Sequence, residues 1–221
     1  MKQLLLLLTI TCFCLSGCSQ SNTQKKTTGS TVKVGGPCES CEAIYESPVP
    51  FDKLGNMCWL PDWEGKGTKL AVNGVVYNAD GTPAAGVVIY IYHTDQTGVY
   101  PTRGDDPSIP QGGWGKRHGY LRGWMKTNEK GEYKFFTLRP ASYPESRNPA
   151  HIHVTVKEPD KNEYWIDEYL FDDDPFLTSE ERNHSQNRAG NGILKTKDVG
   201  NMLKAERHIY LGKNIPGYPV K

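Results

Sequence analysis

The chain has 221 residues, with 26 Lys and Arg against 25 Asp and Glu, for a formal net charge of +1. No basic block stands out from that balance, which excludes the electrostatic footprint of a nucleic-acid binder. A mean hydropathy of −0.60 excludes a polytopic membrane protein, while 37% hydrophobic residues are enough for one soluble core.

Residues 1–17 read as a secretory signal. Lys2 supplies the positive start, and Leu4 to Leu8 with Ile10 and Phe13 supply an apolar stretch shorter than the roughly 20 residues a membrane-spanning helix needs. The run Leu15-Ser16-Gly17-Cys18 resembles the lipobox of bacterial lipoproteins. That resemblance implies cleavage before Cys18, lipidation of Cys18, and an extracytoplasmic lipoprotein anchored to a membrane, in the periplasm or at the outer membrane. Residues 18–33 form a tether, since Ser19 to Thr31 contain no large apolar side chain to offset the entropy of ordering. The globular domain then spans 34–221.

Cys12 and Cys14 leave with the signal, so Cys38, Cys41 and Cys58 remain beside the lipidated Cys18. The Cys38-x-x-Cys41 pair is weak by itself. Zinc would need a second pair, and a thioredoxin-type motif would need a βαβ setting. In an oxidising compartment one structural disulfide and one leftover thiol are expected, with Cys58 joined to Cys38 or to Cys41.

The 221-residue chain holds 23 Gly and 15 Pro, above the roughly 12% of an average protein, and the pattern of the domain is short strands divided by turns. Strands are expected over Leu70–Tyr77, Val87–His93, Tyr120–Lys126, Tyr133–Leu138, His151–Val156, Trp165–Phe171 and His208–Leu211. Val87–His93 is apolar on both faces, as in a strand buried between layers. Thr94 to His118 is a long loop rich in Gly, Pro and Asp, and only Ser179–Asn187 and Thr196–Ala205 have room for helices. The fold expected is all-β: a β-sandwich with long functional loops and one or two short helices. Residues 80–140 alone resemble the carboxypeptidase-regulatory or transthyretin-like modules. They would therefore fit a lipid-anchored, non-catalytic binding module.

His151-Ile152-His153 shifts the weight toward chemistry. Side chains at i and i+2 on a strand leave the same face, about 6 to 7 Å apart at the backbone, so two imidazoles can share one metal while Ile152, Val154 and Val156 anchor the other face. The stretch RPASYPESRNPAHIHVTV, Arg139 to Val156, resembles the iron-binding segment of intradiol ring-cleavage dioxygenases, the family of protocatechuate 3,4-dioxygenase and catechol 1,2-dioxygenase. The likeness extends back through Gly119–Thr127 and Gly131–Tyr133 and forward to Phe171–Pro175. It covers about Lys69 to Leu177, with the look of the family's secreted branch.

That resemblance implies a mononuclear Fe(III) site with two Tyr and two His ligands. His151 and His153 match the histidine pair, Tyr143 matches the displaceable Tyr of the "YP" segment, and Tyr100 in Gly98-Val99-Tyr100 matches the remaining one, with Tyr120 as runner-up. Phenolate is a hard anion suited to Fe(III), and a metal drops the Tyr pKa far below its usual value of ~10. The implied reaction is O2-dependent cleavage of a catechol-type ring between its hydroxyl-bearing carbons to a muconate-type diacid, with the Tyr143 phenolate helping to take the substrate proton.

Two positions depart from the family pattern. The Arg expected three residues before the first His is Asn148 here, with Arg147 one place earlier as the candidate to stabilise charge. Glu168 stands where a Gln is common, and its charge near a catecholate is expected to disfavour carboxylated substrates. His93, His118, His184 and His208 are read as surface or structural, and Asp172-Asp173-Asp174 as a solvated turn. Trp59, Trp63 and Trp114 lie in loop-like segments, and Trp114 or Tyr92 is expected to line a substrate pocket.

Overall fold

The computed structural model describes residues 33–103 and 113–219. The signal, Cys18 and nearly all of the tether lie outside the described residues, as does 104–112 of the long loop. Alternating apolar and polar residues fold the rest into two facing sheets. One sheet runs β1 (Met57–Trp59), β5 (Glu132–Leu138), β2 (Lys69–Tyr77), β10 (Leu203–Glu206) and β9 (Lys197–Asp198), with β11 (Ile209–Tyr210) continuing along β2. The other runs β4 (Arg122–Lys126), β3 (Val88–His93), β6 (His151–Lys157), β7 (Glu163–Phe171) and β8 (Ile193–Leu194). Two short helices, α1 (Gly115–His118) and α2 (Ser179–His184), sit in the connections. Among the described residues no helix is long and apolar enough to cross a membrane.

The core between the sheets follows the two-residue period. Leu70, Val72 and Val76 of β2 and Tyr133 and Phe135 of β5 face Ile89 and Ile91 of β3, Ile152, Val154 and Val156 of β6, and Ile166 of β7. Each such side chain contributes about 1.5–3 kcal/mol by leaving water, so β6 is secured by its apolar face whatever the other face carries. β3 is covered on both sides, as its sequence implies. Its outer residues Val88 and Tyr90 pack under Ala43 and Ile44 of a 3-10 helix over Cys41–Glu46, next to Trp124.

Several expectations are corrected. The disulfide joins Cys38 to Cys41, with Cα atoms 5.7 Å apart. Ser40 between them takes a left-handed φ of 63° and turns the backbone back on itself. Cys58 is the free thiol; it packs against Gly123 of β4, and burial raises its pKa to about 11. Thr196–Ala205 is not helical: Gly200 at φ 75° closes a hairpin in which Leu203 pairs with Asp198. Trp59 belongs to β1, in register with Phe136. His93 and His118 are both buried.

His93 makes stability depend on pH. Its Nδ1–H donates to the carbonyl of Thr94 (2.6 Å) and its Nε2 accepts from the Thr137 hydroxyl (2.7 Å), and burial pushes the ring down to about 4. In the unfolded chain the value is about 6.5. Between those values the unfolded chain binds a proton that the folded one refuses, so stability rises with pH through the window and is lost as pH falls. For metal-free protein this group is expected to remove about 2 kcal/mol between pH 7 and pH 4.5, read from urea midpoints. His93→Gln should make that slope shallower by a similar amount. An unchanged slope would mean that His93 is not held neutral by the fold.

Candidate metal centre

β6 opens with His151, and β3 ends beside it with Tyr92 in register with His153. Both histidines leave the outer face of their sheet, away from the core. Two loops bring phenols to the same point. After β3, the Asp95 carboxylate accepts from the amides of Thr97 (2.8 Å) and Val99 (3.2 Å) and from the Thr97 hydroxyl (2.6 Å), folding a turn that delivers Tyr100. Burial opposes the charge on Asp95, but these hydrogen bonds outweigh it and lower its pKa. The Thr94 hydroxyl donates to the Ala141 carbonyl (2.7 Å) and the Ala141 amide to the Asp95 carbonyl (3.0 Å), stitching this turn to the Pro-rich loop that carries Tyr143.

Tyr100, Tyr143, His151 and His153 are thereby brought together. The Tyr100 and Tyr143 hydroxyls are 2.6 Å apart, Tyr143 lies 3.1 Å from His151 Nε2, the two Nε2 atoms are 3.2 Å apart, and His153 Nε2 is 2.8 Å from Tyr100. The outer edge of each imidazole fixes its tautomer. His151 Nδ1–H donates to the Pro149 carbonyl (2.7 Å) and His153 Nδ1–H to Glu168 (2.7 Å). Both acceptors need a proton on Nδ1, so each Nε2 is a bare lone pair in the neutral ring. The closed ring of four contacts then has only the two phenol protons to fill it. Two contacts are left with lone pair against lone pair.

A single cation among the four atoms removes both repulsions, so the residues present fit a metal. The donor set, two phenols and two imidazoles with carbonyl and carboxylate behind the imidazoles, has the outer support that metal-bound histidines require. Burial raises the pKa of Tyr100, reinforced by Tyr143, and likewise that of Tyr143, and burial lowers that of His151. Without a cation the phenols therefore stay protonated; a bound metal ion is what makes them phenolates.

Glu168 belongs to this outer support. His151, His153 and Glu168 have potential ligand atoms within 4.8 Å of one another, a set that taken alone resembles the two-His-one-carboxylate triad of Fe(II) oxygenases. Glu168, however, meets Nδ1 of His153, the opposite edge of the ring from the phenols. Pairing of β6 with β7 slips by one residue between Ile152 and Val154, and this bulge sets Asp167 and Glu168 against His153. Burial works against the Glu168 charge, but the hydrogen bond from His153 and the two imidazoles outweigh it and lower its pKa.

Tyr100, Tyr143 and His153 open onto a cavity of about 380 Å³ whose wall includes Tyr92, Arg117, His118, Thr155, Trp165 and the Cys38–Ser40 segment. That volume suits one substituted aromatic ring. Tyr92 lines it, whereas Trp114 does not. Arg147 and Asn148 are exposed and outside the lining. Tyr120 donates to Asp62 elsewhere on the surface. In the acidic turn, Asp172 and Asp173 pair with Arg182 and Arg139. Asp174 is buried and accepts from the Ala150 amide (3.1 Å), fixing the backbone just before His151. The reading of His118 as surface or structural, and of Asp174 as part of a solvated turn, is corrected by the burial of both; neither sits in a periodic segment that could have marked it.

The family model described as Dioxygenase matches residues 52–202, and the chain belongs to the intradiol ring-cleavage dioxygenase family. Catechol 1,2-dioxygenase 1 of Acinetobacter lwoffii is 29% identical over 134 residues, covering 51% of this chain and 41% of that protein. Chlorocatechol 1,2-dioxygenase of Rhodococcus opacus is 28% identical over 131 residues, covering 52% and 48%. The chain thus spans less than half the length of these relatives. Among solved structures, the dioxygenase domain of a carbohydrate-binding fusion from Streptomyces sp. SirexAA-E superposes with a TM-score of 0.51 at 20% identity, covering 66% of this chain and 80% of that one. Catechol 1,2-dioxygenase from Acinetobacter sp. ADP1 gives 0.52 at 19% identity, covering 75% and 60%. These two share the fold.

Gly98 offers a direct test of how Tyr100 is placed. Its φ is +79°, and a Cβ there would lie 2.0 Å from the Ser142 carbonyl oxygen, so any side chain forces apart the loops that carry the two phenols. Gly98→Ala is expected to reduce metal retention at least tenfold with the fold preserved by circular dichroism. Full retention would show that the two loops are not coupled in this way.

Proposed function

We propose that the protein is a ferric intradiol dioxygenase that opens a catechol-type ring with O2. The observation that carries this reading is the four-atom ring of Tyr100, Tyr143, His151 and His153, in which two of the four contacts lack a proton. Family membership supports iron as the metal, and the names of the relatives support catechols as the substrate class. Two phenolates favour the ferric state, in contrast to the two-His-one-carboxylate donors of Fe(II) oxygenases.

When bound, Fe(III) would supply the Lewis acidity that gathers the catechol oxygens and makes the ring reactive toward O2. The protein's own part follows from the geometry. His151 and His153, locked from behind by the Pro149 carbonyl and Glu168, act as fixed neutral donors. Tyr143 lines the cavity on a loop outside the sheets and matches the family's displaceable tyrosine, so its phenolate would be the one to accept a proton from a substrate hydroxyl. Tyr92, parallel to the His153 ring at 4.3 Å, provides an apolar wall for the aromatic ring. The bond between the hydroxyl-bearing carbons breaks and both atoms of O2 enter the product, so catechol becomes a colourless muconic diacid.

Iron-loaded protein should be red to burgundy from tyrosinate charge transfer. Tyr100→Phe is expected to shift or abolish that band, and His151→Ala or His153→Ala to abolish iron retention without unfolding β6. A yellow semialdehyde product from catechol would overturn the reading, as would protein that stays colourless after reconstitution with iron.

The reading includes an address. Leu15-Ser16-Gly17-Cys18 followed by a polar tether supports a lipid anchor at Cys18 and an extracytoplasmic site of action on diffusing aromatic substrates. Cys18→Ser is expected to move the protein from the detergent phase to the aqueous phase on Triton X-114 partition. Unchanged partition would remove lipidation at this residue.

A further inference from the structure

Part of the cavity wall comes from a segment that carries none of the metal donors. Cys38, Glu39 and Ser40 line the cavity together with Tyr92, His153 and Thr155. Thr155 follows His153 by two residues on β6, so it leaves the same face as both histidines. Its hydroxyl lies 3.8 Å from Cys41 Sγ. The Cys38–Cys41 disulfide therefore sits over the outer face of the strand that bears the two imidazole donors.

The chain is anchored on both sides of this turn. Ahead of it, the Gly35 carbonyl accepts from Arg188 (2.9 Å) and the Pro37 carbonyl from the Trp165 indole (3.2 Å). After it, the Ile44 carbonyl accepts from the Trp124 indole (2.8 Å), and Glu46 accepts from Arg122 Nη1 (2.6 Å) and the Trp114 amide (3.0 Å). Ala43 and Ile44 are fully buried. Neither flank depends on the sulfur atoms. Between the flanks, Ser40 holds a φ of 63°, a region disfavoured for a residue with a Cβ. Its hydroxyl only reaches the neighbouring Glu39 carbonyl (2.6 Å). Glu39 pairs with Arg117 of α1, but both side chains are more than half exposed, and such a pair holds little. The covalent bond is what keeps this left-handed turn closed.

The two sulfur atoms differ in access. Cys41 is 2% exposed, whereas Cys38 is partly exposed on the cavity wall. A dithiol from solvent can therefore attack Cys38 Sγ, with Cys41 leaving as the thiol. The reductant's second thiol then closes its own ring and releases Cys38. Two electrons and two protons pass from the dithiol to the two cysteines.

We propose that the Cys38–Cys41 disulfide is a positioning element of the substrate cavity, holding Cys38–Ser40 as a wall so that the protein binds catechols tightly only while this bond is oxidised. The proposal rests on the ferric dioxygenase reading and adds redox control of substrate affinity to it. When the bond opens, the four donors stay in place, because core packing, the Pro149 carbonyl, Glu168 and Asp174 hold them. Reduction therefore acts on the substrate and not on the metal. In a reducing compartment the chain has its donors but an incomplete wall, and oxidation completes it.

The test compares iron-loaded wild type with the double variant Cys38→Ser/Cys41→Ser, after circular dichroism has checked the fold. The visible band of the substrate-free protein is expected to be the same in both. Anaerobic titration with catechol, followed in that band, should give an affinity about tenfold weaker in the variant, since a preorganised wall is lost. In turnover, KM should rise while kcat stays within about twofold, as when binding shared by ground and transition states is removed. Wild type reduced with dithiothreitol while metal-free, freed of reductant under argon and then loaded, should match the variant, with both thiols confirmed by alkylation of an aliquot. Reoxidation should restore its affinity. Equal catechol affinity in the oxidised and opened forms overturns the proposal while leaving the ferric reading intact. So does a substrate-free band that changes when the bond opens, since the bond would then act on the metal. A bond that dithiothreitol cannot reduce in the folded protein overturns redox control. Protein that holds no iron in either form overturns both readings. Should the double variant fail to fold, reduction and reoxidation of the wild type decide.

Discussion

Two imidazole lone pairs 3.2 Å apart with no proton between them are the constraint around which the rest of this structure is arranged. Left alone, that contact is repulsive, and so is one of the other three contacts of the ring, because two phenol protons cannot fill all three. The fold holds it in place from behind. Ile152, Val154 and Val156 sink β6 into the core, the Pro149 carbonyl and Glu168 fix both Nδ1 protons, and Asp174 pins the amide of Ala150. The cost of gathering four donors is spread over core packing and outer hydrogen bonds, so that a cation entering the site meets ligands already oriented.

What could be read from the sequence and what could not divides along the range of the interactions involved. His151 and His153 were legible because a strand has a period of two and alternation is local. Tyr143 and Tyr100 were legible through their resemblance to a family motif; in the structure Gly98 and Asp95 give the second of these its physical reason. The disulfide was misjudged because its closure depends on a single left-handed residue, Ser40, which favours the pair separated by two residues over the more distant Cys58. The Thr196–Ala205 hairpin was misjudged for a similar reason, with Gly200 turning a segment of fair helix propensity. Glu168 was read as facing substrate. It does line the cavity, and a one-residue bulge in β7, which no periodicity reveals, also sets it against Nδ1 of His153.

The burial of His118 was not legible because its causes are entirely non-local. It lies in a four-residue helix within a Gly- and Pro-rich connection, and nothing nearby in sequence marks it as buried. Its Nδ1 meets the Tyr90 hydroxyl on β3, its face stacks on Tyr92, and Glu46 in the N-terminal segment accepts from the Trp114 amide beside it. An arrangement of that kind becomes visible only once those separate segments are in place.

The division of labour along the chain bears on how far the relatives can instruct. Residues 52–202, which match the family, contain all four donors together with Glu168 and Asp174. The cavity wall also draws on an earlier part of the chain: Cys38, Glu39 and Ser40 line the cavity, their turn is closed by the Cys38–Cys41 disulfide, and Glu46 accepts from the Trp114 amide and from Arg122. Cys38 to Glu46 all precede residue 52. The segment is held down by apolar contacts of Ala43 and Ile44 on β3 and by the disulfide, so it acts as a wall with its own determinants. The four donors therefore lie in the part of the chain that matches the family, while part of the cavity wall is built by a segment outside that match.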